Sequence, residues 1–88
     1  MTKSSRELIF DDIWRQLAEG SITLGETIYQ LRTRITGLTQ ADFARMCKIS
    51  LRTLRQLEQD NGNPTLETVN SVLRAFGMQL GVVPLRRR

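Results

Sequence analysis

Histidine is absent from this 88-residue sequence, and cysteine occurs only once, at Cys47. Because protein zinc sites are built largely from cysteine and histidine, the chain lacks the residues for one. A single cysteine cannot form a disulfide within the chain, and we expect Cys47 to be a buried, unreactive thiol. The missing histidine also removes the commonest general base, and no nucleophile motif or glycine-rich phosphate loop is present. The sequence therefore argues against an enzyme and predicts neither metal nor cofactor.

Long apolar runs are missing as well. No stretch reaches the length needed to cross a membrane, and the first residues, with Glu7, Asp11 and Asp12 among them, do not resemble a signal peptide. We therefore expect a cytoplasmic protein with no membrane partner. The apolar fraction of 40% suffices for one small domain, and domains of this size often gain stability by pairing with a copy of themselves.

Charge is distributed unevenly along the chain. The whole sequence carries 13 basic and 9 acidic residues, a net charge of +4. Residues 1–20 hold three basic and four acidic side chains, so residues 21–88 hold ten basic and five acidic ones, a net charge of +5. Any nucleic-acid-binding surface is therefore expected outside the first 20 residues.

Two capping-box patterns mark helix starts in the first third of the chain. Ser4 and Glu7 predict a helix that runs to about Glu19, and Thr23 and Glu26 predict a second over about 25–35. The first helix has more apolar surface than a short surface helix needs, and two interpretations stay open: packing on the domain's own core, or docking of a partner protein or second subunit. Its apolar residues are Leu8, Ile9, Phe10, Ile13, Trp14 and Leu17.

The stretch from Thr39 to Glu58 predicts two short helices joined by a tight turn, with Thr39 and Ser50 as their caps. We expect an inward side made by Ala41, Phe43, Ala44 and Met46 in the first helix and by Leu51, Leu54 and Leu57 in the second. That packing leaves one side of the second helix outward, with residue types that reach phosphates and base edges. These residues are Arg52, Thr53, Arg55 and Gln56.

A dense turn over residues 60–64 precedes a further helix, capped by Thr65 and ended by Gly77. Its expected buried residues are Leu66, Val69, Val72, Leu73 and Phe76. The following segment alternates apolar with small or polar residues and predicts a short β-strand. A lone strand has unpaired backbone groups, so we expect it to pair with the same strand of a second copy. The residues of this dimerising strand are Met78, Gln79, Leu80, Val82 and Val83.

Several spaced motifs together resemble the Xre/Cro/lambda-repressor-like helix-turn-helix DNA-binding domains. They are Leu38-Thr39-Gln40, Phe43-Ala44, Ile49-Ser50, Leu54 through Glu58, and the segment from Gly62 to Thr68. The resemblance implies an all-α, five-helix domain, to which the pattern above adds the C-terminal strand. We expect three parts: an N-terminal helix extension (1–20), the helix-turn-helix domain (21–77), and the dimerising strand with a basic tail (78–88).

The resemblance also implies roles for single residues. Gln40 is the phosphate contact at the start of its helix, and Leu51, Arg52 and Gln56 occupy the base-reading positions. Leu51 can equally pack inward, and Arg55 can contact phosphate or base. We further expect residues around the motif to contact the DNA backbone. For Asn61 and Asn63, a purely structural role in the turn is an equal alternative. The expected backbone contacts are Thr39, Lys48, Ser50, Thr53, Asn61 and Asn63.

Two positions call for comment within this resemblance. Lys48 stands where the family usually has glycine, so we expect a strained, left-handed backbone there. Glu58 ends the second helix of the motif, and in the family it pairs with an arginine of the helix that comes before the motif. Arg32 is the expected partner, but the count from Arg32 to Gly37 is one residue longer than the commonest family spacing, which leaves Arg34 as an alternative.

The short C-terminal strand makes the chain most similar to HipB-type antitoxins, the DNA-binding partners of HipA-type kinase toxins. We therefore expect a dimeric repressor of a palindromic operator on double-stranded DNA that binds a HipA-like kinase and regulates its own operon. The alternatives are a protein-binding adaptor with little DNA affinity, and a stand-alone phage-type repressor. For the tail Arg86–Arg88 three interpretations stay open: a plain solvated end, nonspecific attraction to DNA, or a signal to a partner.

Overall fold

The computed structural model describes residues 2–85, which form a bundle of short helices. Over this range there are five α-helices and no β-strand, so the expected all-helical, five-helix fold is confirmed. The expected basic tail, Arg86–Arg88, lies outside the described residues. The helices are α1 (Ser5–Glu19), α2 (Leu24–Gln30), α3 (Gln40–Cys47), α4 (Leu51–Glu58) and α5 (Leu66–Arg74), and α2 continues directly into a π-helical turn, Leu31–Thr36.

Each α-helix begins at a serine or threonine whose hydroxyl accepts a hydrogen bond from the backbone N–H three residues later. The five caps are Ser4, Thr23, Thr39, Ser50 and Thr65. At α2 the capping box is complete, because Glu26 also accepts from the Thr23 N–H. At α1 the described chain forms only the serine half of the expected box.

The core draws on all five helices. Its fully buried side chains include Ile13 from α1 and Ile28 from α2, and the Phe43 ring stacks on Phe76 with ring centroids 5.9 Å apart. Cys47 is buried beside them, and burial raises the pKa of its thiol above the ordinary value. A thiol that stays protonated and covered is a poor nucleophile, as expected for this residue.

Three residues expected in the core are exposed instead: Ala41, Met46 and Leu66. On α3 the buried residues are Phe43, Ala44 and Cys47, and a helix turns about 100° per residue. Ala41 and Met46 therefore fall to either side of that inward stripe. Leu66 is the first residue of α5, where the chain has not yet turned onto the core, and it is 73% exposed.

The apolar residues of α1 are divided between core and solvent. Ile13 is fully buried, whereas Leu8, Trp14 and Leu17 are exposed. Trp14 contacts the half-buried Phe10, with ring centroids 5.7 Å apart. One side of α1 thus packs on the bundle, and an adjoining side presents apolar surface to solvent.

A polar contact holds α1 to the turn that follows α2. Arg34 donates to the Asp12 carboxylate over 2.7 Å, and Gln16 and Gln30 exchange hydrogen bonds beside it. The hydrogen bonds from Arg34 and Arg15 lower the pKa of Asp12 below its ordinary value. Arg34 is therefore engaged with α1 and not with α4.

Arg32 forms a buried ion pair with Glu58 at the end of α4. Its Nε lies 2.6 Å from Oε2 and its Nη2 lies 3.0 Å from Oε1, and the two side chains are only 11% and 5% exposed. Its Nη1 also donates to the Leu38 carbonyl oxygen over 3.1 Å. The hydrogen bond to Glu58 raises the pKa of Arg32. Arg32, and not the alternative Arg34, is thus the partner of Glu58.

The π-helical turn explains how Arg32 reaches Glu58 despite the long spacing to Gly37. The Gly37 N–H donates to the Arg32 carbonyl oxygen five residues earlier, over 2.8 Å, and Gly37 closes the turn with φ +67°. A π turn holds one residue more than an α turn. The additional residue is therefore absorbed locally, and the segments on either side keep their places in the bundle.

The turn between α3 and α4 has the expected left-handed backbone at Lys48, with φ +59° and ψ +41°. It is closed by hydrogen bonds from the Lys48 N–H to the Arg45 carbonyl oxygen and from the Ile49 N–H to the Ala44 carbonyl oxygen. Lysine has a β-carbon that opposes this conformation, so the turn carries the strain that glycine would avoid.

Beyond α5 the chain folds back on the bundle before leaving it. Met78 and Leu80 pack against the core, and the Leu80 N–H donates to Asn70 Oδ1 over 2.9 Å. Val82, Val83 and Leu85 are fully or almost fully exposed. The strand predicted here was expected to pair with a second copy of the chain. The single chain does not test that pairing, which stays a prediction. Across residues 2–85, no helix combines the length and apolar character that a membrane span requires.

Replacing Arg32 with methionine should lower the free energy of unfolding by about 3 kcal/mol or more, since the Glu58 carboxylate would remain buried without its partner. Arg34→Met is the matched control, and it should change stability little because the Arg34–Asp12 pair is exposed. Urea unfolding of both variants measures the difference. A loss for Arg32→Met as small as the one expected for Arg34→Met would mean that the Arg32–Glu58 pair does not hold the fold.

Replacing Lys48 with glycine should raise the free energy of unfolding by roughly 0.5–1 kcal/mol, because the left-handed conformation no longer opposes a β-carbon. Ala41→Gly, at an exposed position inside α3, should instead lower the free energy of unfolding. Thermal unfolding followed by circular dichroism measures both. Destabilisation by Lys48→Gly would contradict the assignment of strain to this turn.

Candidate nucleic-acid interface

Helix α4 divides sharply between an inner and an outer surface. Leu54 and Leu57 are buried in the core, whereas Arg52 and Arg55 are exposed. Leu51, Thr53 and Gln56 are half-buried at the borders of the outer surface. Arg52 thus points most directly away from the bundle, as a residue that enters a groove of a duplex must.

The outer surface of α4 is cationic. Across the described range, Lys48, Arg52 and Arg55 have no carboxylate within ion-pair distance. The two carboxylates in residues 39–58 are occupied: Asp42 by Arg45 at 3.2 Å and Glu58 by Arg32. Unneutralised guanidinium and ammonium groups at a surface attract polyanions such as nucleic acid.

Gln40, the first residue of α3, connects this surface to the buried ion pair. Its Nε2 donates to Glu58 Oε1 over 3.1 Å, and its Oε1 accepts from Arg55 Nε at 3.4 Å. The structure therefore joins the expected ion pair, Arg32 and Glu58, to two residues that were expected to contact DNA, Gln40 and Arg55. In order from the core outward, they are Arg32, Glu58, Gln40 and Arg55.

Of the three hydroxyls proposed as DNA-backbone contacts, those of Thr39 and Ser50 cap helices, and that of Thr53 bonds to Ser50. Thr39 accepts from the Asp42 N–H at 3.2 Å, and Ser50 accepts from the Thr53 N–H at 3.0 Å. Ser50 also donates to the Thr53 hydroxyl, at 2.8 Å. Since the caps lie at the start of α3 and α4, they are close to backbone N–H groups that could donate hydrogen bonds to a phosphate.

Gln56 and the following loop are in contact. A β-carbon at Gly62 would lie 2.8 Å from Gln56 Oε1, so the Gln56 side chain extends along the loop where glycine leaves room for it. Asn61 donates to Gln59 over 3.4 Å, and Asn63 is exposed. Gln56 is thus less free than Arg52 among the expected base-reading residues.

The structure adds a positioning residue that the sequence analysis treated only as part of a turn. Asp60 follows α4 with φ +56°, and its carboxylate accepts from the Thr23 hydroxyl at 2.6 Å and from the Gly25 N–H at 2.8 Å. This carboxylate lies at the positive end of α2. Asp60 therefore anchors the loop after α4 to the start of α2.

Gly25 permits that anchor. A β-carbon at this buried glycine would lie 2.5 Å from the Leu57 carbonyl oxygen and 2.8 Å from the Asp60 carboxylate. Any larger residue would push α2 away from α4. In the sequence, Gly25 is a glycine in the first turn of one helix and Asp60 is an aspartate after another. Neither feature predicts that the two residues are in contact.

Comparison with known protein families agrees with this geometry. A family model described as Helix-turn-helix (HTH_3) matches residues 28–83, from α2 through α5 and into the C-terminal segment. No curated protein and no solved structure matches the chain. The match covers well over half of the sequence, and the family is one of DNA-binding regulatory domains, which are typically non-enzymatic. The chain belongs to the HTH_3 helix-turn-helix family.

Proposed function

We propose that the protein is a sequence-specific, DNA-binding transcriptional repressor that acts as a dimer on a palindromic operator. The observation that supports this most is the outer surface of α4, which is cationic and has no carboxylate neutralising Arg52 or Arg55. Such a helix fits the major groove of B-DNA. Its ligand would place the protein in the cytoplasm, at the nucleoid.

Arg52 is the principal base reader in this proposal. It is exposed, and no other side chain of the described chain holds its guanidinium in a hydrogen bond or ion pair. An arginine in the major groove donates two hydrogen bonds to O6 and N7 of guanine. Leu51 and Gln56 flank it at half-buried positions, where they would contact a thymine methyl group and an adenine edge.

The surrounding polar residues would hold the DNA backbone. Gln40 and Thr39 lie at the start of α3 and Ser50 and Thr53 at the start of α4, where backbone N–H groups favour phosphate. Lys48 lies in the turn between them and would add a charge contact. Asn61 and Asn63, in the exposed loop after α4, are the remaining proposed backbone contacts.

The proposed dimer pairs the C-terminal segments of two copies. Met78 and Leu80 pack against the core and hold the start of this segment in place, with Gln79 between them. Val82 and Val83, which come next, are exposed. An extended segment with free backbone groups is stabilised when a second chain supplies the complementary hydrogen bonds. Two α4 helices about 34 Å apart would then reach successive major grooves. In this proposal residues 21–77 form the DNA-binding domain, residues 78–88 comprise the dimerising strand and the basic tail, and residues 1–20 are an extension.

The more specific proposal is that the repressor is an antitoxin that binds a HipA-like kinase and regulates its own operon. Its support is the exposed apolar segment that follows α5. Co-expression with the neighbouring genes, followed by purification of the protein, tests it. Recovery of a kinase-like protein encoded alongside supports the antitoxin role, and the absence of such a partner leaves a stand-alone, phage-type repressor.

One observation favours a second function, that of a protein-binding adaptor. Leu8, Trp14 and Leu17 expose apolar surface on α1. Unlike the outer surface of α4, this helix carries more acidic than basic residues. An adaptor would use α1 and have little affinity for DNA. Selection of bound duplexes from a random pool separates the two functions, because only the repressor enriches a defined sequence.

Replacing Arg52 with alanine should weaken binding to the selected operator by about 1–3 kcal/mol and relax specificity at one base pair. Gln40→Ala should instead weaken binding to all sequences alike, since Gln40 contacts the backbone. Fluorescence anisotropy with selected and scrambled duplexes measures both effects. An Arg52→Ala variant that loses equal affinity for both duplexes would remove Arg52 from the base-reading role.

The double substitution Val82→Lys and Val83→Lys should convert the dimer to a monomer, because two added charges per chain repel across the paired segments. Both valines are exposed in the single chain, so the fold itself should be unaffected. Leu66→Lys, at another exposed apolar position, is the control and should remain dimeric. Light scattering gives the mass, and an unchanged mass in the double variant would refute pairing through this segment.

A further inference from the structure

Arg55 differs from Arg52 in its surroundings, although both are exposed arginines on α4. Arg55 lies three residues before Glu58, on the edge of α4 that faces α3. Its Nε donates to Gln40 Oε1 at 3.4 Å, near the long end of hydrogen-bond distances. Arg55 is therefore directed toward the first residue of α3, whereas Arg52 points away from the bundle.

The chemistry of its neighbours fixes the orientation of the Gln40 amide. The Glu58 carboxylate can only accept hydrogen bonds, and the Arg55 guanidinium can only donate them. The amide nitrogen must therefore face Glu58, and the amide oxygen must face Arg55, as observed. A flipped amide would place oxygen against oxygen and N–H against N–H.

Donors remain after these contacts are made. Gln40 keeps one N–H of its amide, and Arg55 keeps the four N–H groups of its two terminal nitrogens. These donors lie next to each other at the start of α3, where the helix end adds a partial positive charge. A group with several acceptor oxygens and a negative charge can bind both side chains at once.

We propose that Gln40 and Arg55 together bind one DNA phosphate, so that Arg55 is a backbone ligand oriented by Gln40 and not a base reader. The inference rests on the proposed function, and it divides the exposed arginines of α4 between two tasks: Arg52 reads a base, and Arg55 fixes the helix on the backbone. The Arg32–Glu58 pair supports the arrangement from beneath, because Glu58 holds the Gln40 amide.

The test uses the full-length protein and the selected operator carrying a neutral methylphosphonate at one phosphate at a time. Wild type, R55A, Q40A and R52A are compared at each position. Neutralising the shared phosphate should weaken wild type by roughly five- to tenfold and should weaken R55A hardly at all, since the charge pair is already lost. The Q40A variant should show a reduced effect at that same phosphate, and R52A should retain the full effect.

Salt dependence gives an independent readout. R55A should reduce the slope of log affinity against log salt concentration by about 0.9, the value for one phosphate contact, and Q40A should leave the slope unchanged because glutamine is neutral. R55A should also weaken selected and scrambled duplexes by the same factor. Thermal unfolding of R55A should match wild type, because Arg55 is exposed.

Three results would overturn the inference in different ways. Loss of affinity by R55A for the selected duplex alone would make Arg55 a base reader and leave the repressor function intact. Sensitivity of R55A and Q40A to two different phosphates would refute the shared contact. If wild type binds no duplex, the proposed function fails, and this inference fails with it.

Discussion

The buried ion pair between Arg32 and Glu58 is the constraint on which the rest of the interface depends. A carboxylate that is 5% exposed must have a partner, because an unpaired buried charge costs several kcal/mol. Glu58 ends α4, and Arg32 lies at the start of the π turn and also donates to the Leu38 carbonyl oxygen before α3. One guanidinium therefore joins the π turn, the segment before α3 and the last residue of α4, and it holds that end of α4 in place.

With that end fixed, the outer surface of α4 follows from packing. Leu54 and Leu57 enter the core, and Asp60 holds the loop after α4 to the start of α2. Because the inner side of α4 is buried and the loop after it is anchored, the helix cannot rotate, and Arg52 points to solvent. Gln40 links the buried ion pair to the surface, because it donates a hydrogen bond to Glu58 and accepts one from Arg55. The structural ion pair and two of the proposed nucleic-acid contacts, Gln40 and Arg55, thus form one connected hydrogen-bond network.

Local sequence signals predicted much of this fold, and long-range contacts account for the misses. The five capping residues and the spacing of Leu54 and Leu57 depend on neighbours a few residues away, so pattern analysis located them. Met46 shows the limit, since the inward direction of an eight-residue helix depends on which neighbour it meets. Gly25 and Asp60 meet 35 residues apart in the chain, and no local pattern reports that contact.

The account holds above all that the outer surface of α4 is the surface that contacts DNA. Backbone amide chemical shifts, recorded with and without the duplex selected from a random pool, test this residue by residue. The account predicts the largest changes from Thr39 to Gln56, with the amides of α1 almost unchanged. Changes concentrated on α1, with α4 unaffected, would contradict it.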